Sequence, residues 1–202
     1  MSNAAATTSI TTKERILDAA EEIMLQKSFH SVGLNEILTA VKVPKGSFYH
    51  YFQSKEQFGV ELLRHYVKEA SVYKRRMLLD TSLEADPYKR LSGYFDCNIA
   101  KTYESTGRCS CLVVKLATEV ASFSDGMREV LAEGMREWRG FLEQLIREGQ
   151  AKGVMRADID PVFESEWCQD LWTGASHRSQ IERSVAPLQT AKTMILSSLK
   201  PV

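Results

Sequence analysis

The sequence of 202 residues contains no apolar run long enough to cross a bilayer and no charged-then-apolar secretory leader. These two absences predict a cytoplasmic protein that does not use a membrane. An excess of charge of one sign is also missing, because 26 basic residues balance 26 acidic ones. Any affinity for nucleic acid must therefore come from a local surface and not from the charge of the whole chain.

The sequence also lacks the alternating apolar and polar pattern of a β-strand, and it has no internal repeat. Its hydrophobic content of 44% and charged content of 26% are those of an ordinary globular protein. We therefore predict an all-α fold. Residues 1–10 are small and polar, have no helical stripe and resemble the remnant of an expression tag, so we expect them to be disordered.

Cysteine is scarce, and its spacing excludes two common uses. In a reducing cytosol the four cysteines are not expected to form disulfides; they are Cys97, Cys109, Cys111 and Cys168. Structural zinc sites need pairs separated by two to four residues, and Cys-x-Cys is a poor match. We expect no metal and no cofactor, and interpret these residues as buried or reactive thiols.

The most informative segment is 44–52, whose residues divide into two sides when placed on a helix at about 100° per residue. The inward, apolar side holds Pro44, Phe48, Tyr51 and Phe52. The outward side holds Gly46, Tyr49 and His50, flanked by Lys45 and Ser47. Glycine destabilises a helix, so its outward position suggests a partner that approaches the backbone closely. Phosphates and base edges are such partners, and we interpret the segment as a DNA recognition helix.

The preceding residues support this interpretation. An apolar stripe at i, i+3, i+4 and i+7 predicts a short helix; its members are Leu34, Ile37, Leu38 and Val41. Lys42 and Val43 leave room only for a tight turn, and Pro44 suits the first position of the next helix. Two short helices joined in this way predict a helix-turn-helix, whose second helix enters the major groove.

Further helix starts are marked by capping residues. Thr11 and Glu14 have the spacing of a capping box, and Ser54 is a good N-cap for a long helix to about residue 80. Four later helices are predicted to begin near residues 86, 109, 124 and 160, and a last one near 186, with the helix from Cys109 ending near Phe123. The basic residues 74–76 are interpreted as a solvated face.

Residues 43–56 resemble the signature of the TetR family of transcriptional repressors, and residues 13–20 with Phe29, Ser31 and Val32 are similar to its first helix and the start of its second. The resemblance implies a homodimer with a three-helix DNA-binding domain at 11–55. It implies a larger ligand-sensing and dimerisation domain at 56–202, paired through the last two helices. The residues expected to contact the operator are Ser31, Lys45, Gly46, Ser47, Tyr49, His50 and Lys55.

A candidate sensor lies in the larger domain, between the DNA-binding domain and the dimerisation helices. Cys111 is predicted near a helix N-terminus, where the dipole favours a thiolate, and Lys115 is one turn away. Arg108 adds a nearby cation, and Cys109 is a possible redox partner. The alternatives are that Lys115 simply pairs with Glu119, and that the cysteine is buried as small hydrophobic residues are.

The pattern Cys-Leu-x-Val-Lys-Leu-x-x-Glu-Val at 111–120, with 171–175 and Pro187-Leu188, is similar to the NemR-like branch of the family. That resemblance implies control by reactive electrophiles or oxidants, with Cys111 as the sensing cysteine. Trp172 and His177 are further candidate ligand residues.

Three other functions are kept open. The first is a repressor released by a non-covalent small molecule, such as an unsaturated acid or an aromatic metabolite. The second is a thiol-dependent enzyme using Cys111, which would need a histidine or an acid within reach. The third is a helical interaction module without DNA binding, which would leave the outward face of segment 44–52 unexplained.

Overall fold

The computed structural model describes residues 11–104 and 111–201, and every regular element in these ranges is helical, which confirms the predicted all-α fold. The described helices are α1 (Thr12–Met24), α2 (Leu34–Ala40), α3 (Lys45–Tyr51), α4 (Lys55–Leu79), α5 (Pro87–Glu104), α6 (Leu112–Val120), α7 (Asp125–Ala151), α8 (Pro161–Glu182) and α9 (Ala186–Leu199). None of these helices has both the length and the hydrophobicity of a membrane-spanning segment.

The predicted caps are confirmed at several helix starts. The backbone N–H of Glu14 donates to Thr11 Oγ1 at 3.2 Å, and the Thr11 N–H donates to Glu14 Oε2 at 2.7 Å. Ser54 and Ser124 accept from the third residue of α4 and α7, respectively. Asp160 caps α8 ahead of a proline at its first position.

The turn between α2 and α3 differs from the prediction by one residue. Pro44 is the N-cap of α3 and not its first helical residue, because its ψ of 144° is that of extended backbone. Its φ of −61° is fixed by the proline ring and does not distinguish the two positions. Lys42 makes the turn in the left-handed region, with φ of 55°. The Val43 N–H then closes the turn on the Leu38 carbonyl oxygen at 3.0 Å.

The buried apolar side chains form two separate cores. The first core joins α1, α2, α3 and the start of α4 to α6 and the start of α7. The side chains that the later helices bring to it are Leu112, Leu116, Val120, Met127, Val130 and Leu131. α6 therefore packs in one core with the first three helices, although it follows them in sequence by more than fifty residues.

The second core consists of buried side chains from the remaining helices. It is formed by the end of α4, by α5, by the second half of α7, and by α8 and α9. Arg90 of α5 is buried at its edge, where Nε donates to the Leu78 carbonyl oxygen at 2.8 Å and Nη2 pairs with Glu148. α4 and α7 run through both cores and connect them.

α6 is shorter than the predicted helix, which was expected to extend from Cys109 to Phe123. Cys111 is its N-cap, and the helix ends at Val120 because the chain turns there to place Ser124 at the start of α7. Cys109 and Gly107, the residue expected to break α5, lie outside the described residues.

α8 and α9 leave large apolar side chains uncovered in the single chain. Ile181 is 82% exposed and Phe163 is 65% exposed, and Val162 and Met194 are also exposed. An apolar surface of this kind on two neighbouring helices is typical of an interface with another chain.

Candidate nucleic-acid interface and effector cavity

The recognition helix α3 is anchored by aromatic residues on its inward side. Phe48 and Phe52 are fully buried, and their ring centres lie 5.0 Å apart. Both also pack on Phe58 of α4, at 5.4 and 5.1 Å between ring centres. Such contacts add to area burial and hold a seven-residue helix that could not form alone.

The outward side of α3 is open. Lys45, Gly46, Tyr49 and His50 are exposed, and Ser47 is half-buried. No heavy atom lies within 4 Å of the position that a Cβ on Gly46 would occupy. We call this surface the recognition ridge. Packing within the described part of the chain therefore does not require a glycine at position 46. A close approach of DNA to this glycine stays a prediction.

The two flanking DNA-binding candidates have partners within the protein. Lys55 Nζ donates to the carbonyl oxygens of His30 and Val32, at 3.2 and 2.9 Å, and lies 5.3 Å from the centre of the Phe29 ring. Lys55 thus ties the start of α4 to the α1–α2 loop. The Ser31 hydroxyl donates to the Ser28 carbonyl oxygen, and the N-cap of α2 is Gly33, so Ser31 does not cap that helix.

A cavity of about 420 Å³ lies between the two cores. α4 to α8 all contribute to its wall, together with Glu21 of α1. Its large aromatic side chains are Tyr66, Tyr73, Tyr94, Trp138 and Trp172. Its other polar and reactive side chains include Lys74, Lys101, Asn98, Cys111 and His177. A concave, mostly aromatic site with a few polar groups has the character of a small-molecule pocket.

Cys111 lies in this wall at the N-cap of α6, and its side chain is half-buried. Tyr66 of α4 lies beside Cys111 in the same wall. Burial, and then the neighbouring Cys111, raise the pKa of Tyr66 well above its ordinary value. Tyr66 therefore remains a neutral hydrogen-bond donor next to the sulfur.

Lys74 is a cavity residue that the sequence analysis missed. It was grouped with Arg75 and Arg76 on a solvated face, which is correct for those two exposed residues but wrong for Lys74. Its ammonium group lies 5.0 Å from the centre of the Trp138 ring. Burial lowers the pKa of Lys74, against an opposing effect of Cys111 and Glu137. The helical spacing from Tyr66 through Ala70 to Lys74 was the available signal.

The other sensor candidates divide between the cavity and elsewhere. Trp172 and His177, one turn and a half apart on α8, line the same cavity as Cys111. Lys115 is half-buried and does not belong to the cavity wall. Cys97 is exposed, whereas Cys168 is buried in the second core, and that burial raises its thiol pKa.

The far end of α6 contacts the loop between α1 and α2. Glu119 Oε1 accepts from the backbone N–H of His30 at 3.0 Å and lies 2.9 Å from His30 Nδ1. Burial raises the pKa of the Glu119 carboxyl, but the hydrogen bonds from His30 and Phe29 outweigh this and lower it overall. Phe123 packs on the His30 ring at 4.7 Å between ring centres. One short helix therefore runs from the cavity to the α1–α2 loop.

Helices α1 to α3, which we call the head, carry the recognition ridge, and the later helices form most of the cavity wall. These two features together define a helix-turn-helix protein with a separate ligand-binding part. Residues 16–62 match the family described as "Bacterial regulatory proteins, tetR family". Residues 87–195 match "Tetracyclin repressor-like, C-terminal domain". The chain belongs to the TetR family of transcriptional regulators.

Individual relatives are similar over most of their length. The repressor NemR of Escherichia coli K12 is 35% identical over 181 residues, 89% of each chain. The regulator AcuR of Cereibacter sphaeroides is 35% identical over 177 residues, 88% of this chain and 80% of that one. The crystal structure of E. coli NemR in its reduced form matches with a TM-score of 0.83 and 32% identity, and covers 94% of this chain and 97% of that chain.

Proposed function

We propose that this protein is a transcriptional repressor that binds a palindromic operator as a homodimer and is released when a reactive electrophile or oxidant modifies Cys111. The observation that carries the proposal is the placement of α6. Its N-cap cysteine lies in the cavity, and its last turn holds the α1–α2 loop through Glu119. The similarity to NemR, a repressor whose crystal structure was determined in a reduced form, supports a redox-sensitive or electrophile-sensitive repressor.

Operator binding is assigned to the recognition ridge. Lys45 or His50 would contact a base edge in the major groove, while Tyr49 and Lys55 would position the phosphate backbone. The exposed apolar residues of α8 and α9 support pairing of two copies. A two-fold dimer would present two ridges to half-sites about 34–36 Å apart.

The proposed reaction starts from the thiolate of Cys111. The N–H groups at the start of α6, the Tyr66 hydroxyl and the Lys74 ammonium would all stabilise negative charge on the sulfur. With an unsaturated carbonyl compound, the sulfur forms a bond to the β-carbon, the C=C π electrons move toward the carbonyl, and the α-carbon takes up a proton. With a peroxide, one oxygen atom moves to the sulfur and gives a sulfenic acid, while the peroxide is reduced to water or an alcohol.

Modification would reach the DNA through α6. An adduct on Cys111 would add atoms at the N-cap of α6, where the side chain lies in the cavity wall beside Tyr66, and this added bulk would shift the start of α6. Because α6 belongs to the first core, its shift displaces the His30–Glu119 contact and with it the α1–α2 loop. The adduct favours the state that does not fit the operator, as release requires.

The decisive experiment is a mobility shift with duplex DNA from beside the protein's own gene, with N-ethylmaleimide as the electrophile. Wild-type protein and the matched control Cys97→Ser, which lacks an exposed cysteine, should both release the DNA. Cys111→Ser should bind DNA normally and stay bound. Mass spectrometry should place the adduct on Cys111. Release of Cys111→Ser by the reagent would contradict the assignment.

Transmission has its own test. Glu119→Gln should become alkylated at Cys111 as fast as wild type but should release the operator less completely, because the side chain can no longer form a charge-assisted hydrogen bond with His30. Glu129→Gln, which changes an exposed glutamate of α7, is the control and should release normally. Equal release by Glu119→Gln and wild type would exclude this route.

A second candidate is release by a non-covalent ligand, favoured by the composition of the cavity. Aromatic side chains provide flat contact surfaces, and Lys74, Lys101 and His177 provide positive or hydrogen-bonding groups for an acid. Isothermal titration of Cys111→Ser with benzoate or a short alkenoate tests this. Binding that Lys74→Met abolishes, together with release of Cys111→Ser from DNA, would favour this candidate over the first.

A further inference from the structure

A cluster of metal-ligating side chains joins α1 to α4 beside the cavity. His65 and Glu69 lie one turn apart on one face of α4, and Asp18 faces them from α1. One ligand atom from each of the three residues lies within 4.8 Å of the other two. Within residues 11–104 and 111–201, this is the one group of three histidine, cysteine or acidic residues that meets this spacing.

The separations fit a shared ion. His65 Nε2 lies 2.8 Å from Asp18 Oδ1 and 3.7 Å from Glu69 Oε1. Zinc bonds to nitrogen and oxygen of about 2.0–2.2 Å place neighbouring ligands of a tetrahedral site about 3.3–3.6 Å apart. The observed distances lie on either side of this value, so small side-chain rotations would bring all three atoms onto one ion.

The charges around the cluster also favour a cation. Among the described ion pairs, His65 is the basic partner of both Asp18 and Glu69. The half-buried Glu21 carboxylate interacts electrostatically with all three residues, and Glu21 and Glu69 both line the cavity. Three carboxylates around one imidazole leave negative charge unbalanced, and the exposed Asp18 and Glu69 make the cluster accessible to a cation from solvent.

We infer that Asp18, His65 and Glu69 form a site for a first-row divalent cation of the Zn²⁺ class, with Glu21 beside it as an additional carboxylate. One imidazole and several carboxylates are a ligand set that such ions accept. The ion would fasten α1 of the DNA-binding head to α4 at the wall of the cavity. It is a site separate from Cys111 and does not depend on the chemistry of that residue.

Isothermal titration with Zn²⁺ tests the site in the full chain after removal of metal by a chelator. Because thiols also bind zinc, the protein should carry Cys97→Ser, Cys109→Ser and Cys111→Ser. One ion should bind per chain. In this background His65→Gln and Glu69→Gln should each weaken binding by at least about tenfold. The controls His50→Gln and Glu166→Gln change exposed residues elsewhere and should bind as the parent does.

Two further measurements make the result independent of any single variant. Zn²⁺ should raise the melting temperature of the parent, because the ion binds the folded state, and this rise should disappear in His65→Gln. The same rise should be retained in His50→Gln, which changes an exposed residue elsewhere. The proposal is overturned if no binding occurs up to millimolar Zn²⁺, if His65→Gln and Glu69→Gln bind like the parent, or if Zn²⁺ raises the melting temperature of His65→Gln as much as that of the parent.

Discussion

The two cores of the molecule are built from the chain in different ways. The helix-turn-helix part of the first core comes from one continuous stretch, in which caps, turn and aromatic anchors are neighbours in sequence. The second core gathers side chains from helices spread over the remaining two thirds of the chain. α6 and the start of α7 are exceptions, because they come from the later part of the chain and pack in the first core. The boundary between the two cores therefore lies at the cavity and not at one point in the sequence.

The largest expected effect separates the inner side of α3 from its outer side. Phe48→Ala should lower the free energy of unfolding by about 3–5 kcal/mol, because a fully buried ring is removed from the first core. Tyr49→Ala, the adjacent exposed residue, should change it by no more than about 0.5 kcal/mol. Both should weaken operator binding. Urea unfolding and a mobility shift separate the two causes, and equal destabilisation by both would mean that the ridge does not face outward.

A smaller effect is expected at the edge of the second core. Glu148→Gln should lower the free energy of unfolding by about 1.5–3 kcal/mol, because the buried Arg90 loses a charged partner. Burial raises the pKa of the Glu148 carboxyl, but the hydrogen bonds from Lys152 and the attraction of Arg90 lower it overall. Its stabilisation is therefore present above the ordinary pKa of about 4.5 and is lost as the pH falls below it.

Urea unfolding at neutral pH and near pH 3 measures this effect. The difference between wild type and Glu148→Gln should shrink at the lower pH. Glu143→Gln, which removes the half-buried partner of the exposed Arg147, is the control and should cost less than about 0.5 kcal/mol at either pH. A difference that grows on acidification would reverse the sign of the argument.

The third prediction concerns how closely α4 packs in the first core. A Cβ on Gly59 would lie 1.9 Å from Met127 Cε and 2.6 Å from Phe29 Cζ. Gly59→Ala should therefore destabilise the protein by about 1–3 kcal/mol. Gly140→Ala, inside α7 with no atom within 4 Å of the new methyl group, should stabilise it by about 0.5–1 kcal/mol. Thermal unfolding should show a lower melting temperature for Gly59→Ala and a higher one for Gly140→Ala. Stabilisation of both variants would show that the first core is less tightly packed than the structure indicates.

The smallest effect on stability should come with a large effect on function. Gly46→Ala replaces an exposed glycine in α3 and should stabilise the fold by less than about 1 kcal/mol. If DNA approaches the backbone at this position, the added methyl group should weaken operator binding. A melting curve measures the expected rise in stability, and a mobility shift measures the expected loss of operator binding. Unchanged binding would show that the glycine is not needed for a close approach.

The head could be predicted from the sequence because its determinants are local. A capping box, an apolar stripe and a two-sided nine-residue segment specify three helices without any information from elsewhere in the chain. The cavity could not be assembled in the same way. Lys74 was assigned to solvent because its neighbours Arg75 and Arg76 are charged, and only the packing of α7 against α4 places Trp138 next to it.

Contacts between distant residues account for most of what the sequence did not reveal. His30 and Glu119 are separated by 89 residues, and no periodic pattern connects them. The shorter extent of α6 has a similar cause, since the end of the helix is set by Ser124 at the start of α7 and by packing in the first core. The cluster of Asp18 with His65 and Glu69 likewise depends on how α1 crosses α4.

The length of α6 has a consequence for what the protein can distinguish. Its nine residues span only about 13 Å, a rod too short to bend or to absorb a push along its axis. Displacement at the cysteine end should therefore arrive undiminished at the glutamate end. If Cys111 is the sensing residue, as proposed, the displacement of the DNA-binding helices should therefore increase with the size of the adduct: one oxygen atom should move them slightly, and a ring-bearing adduct should move them furthest.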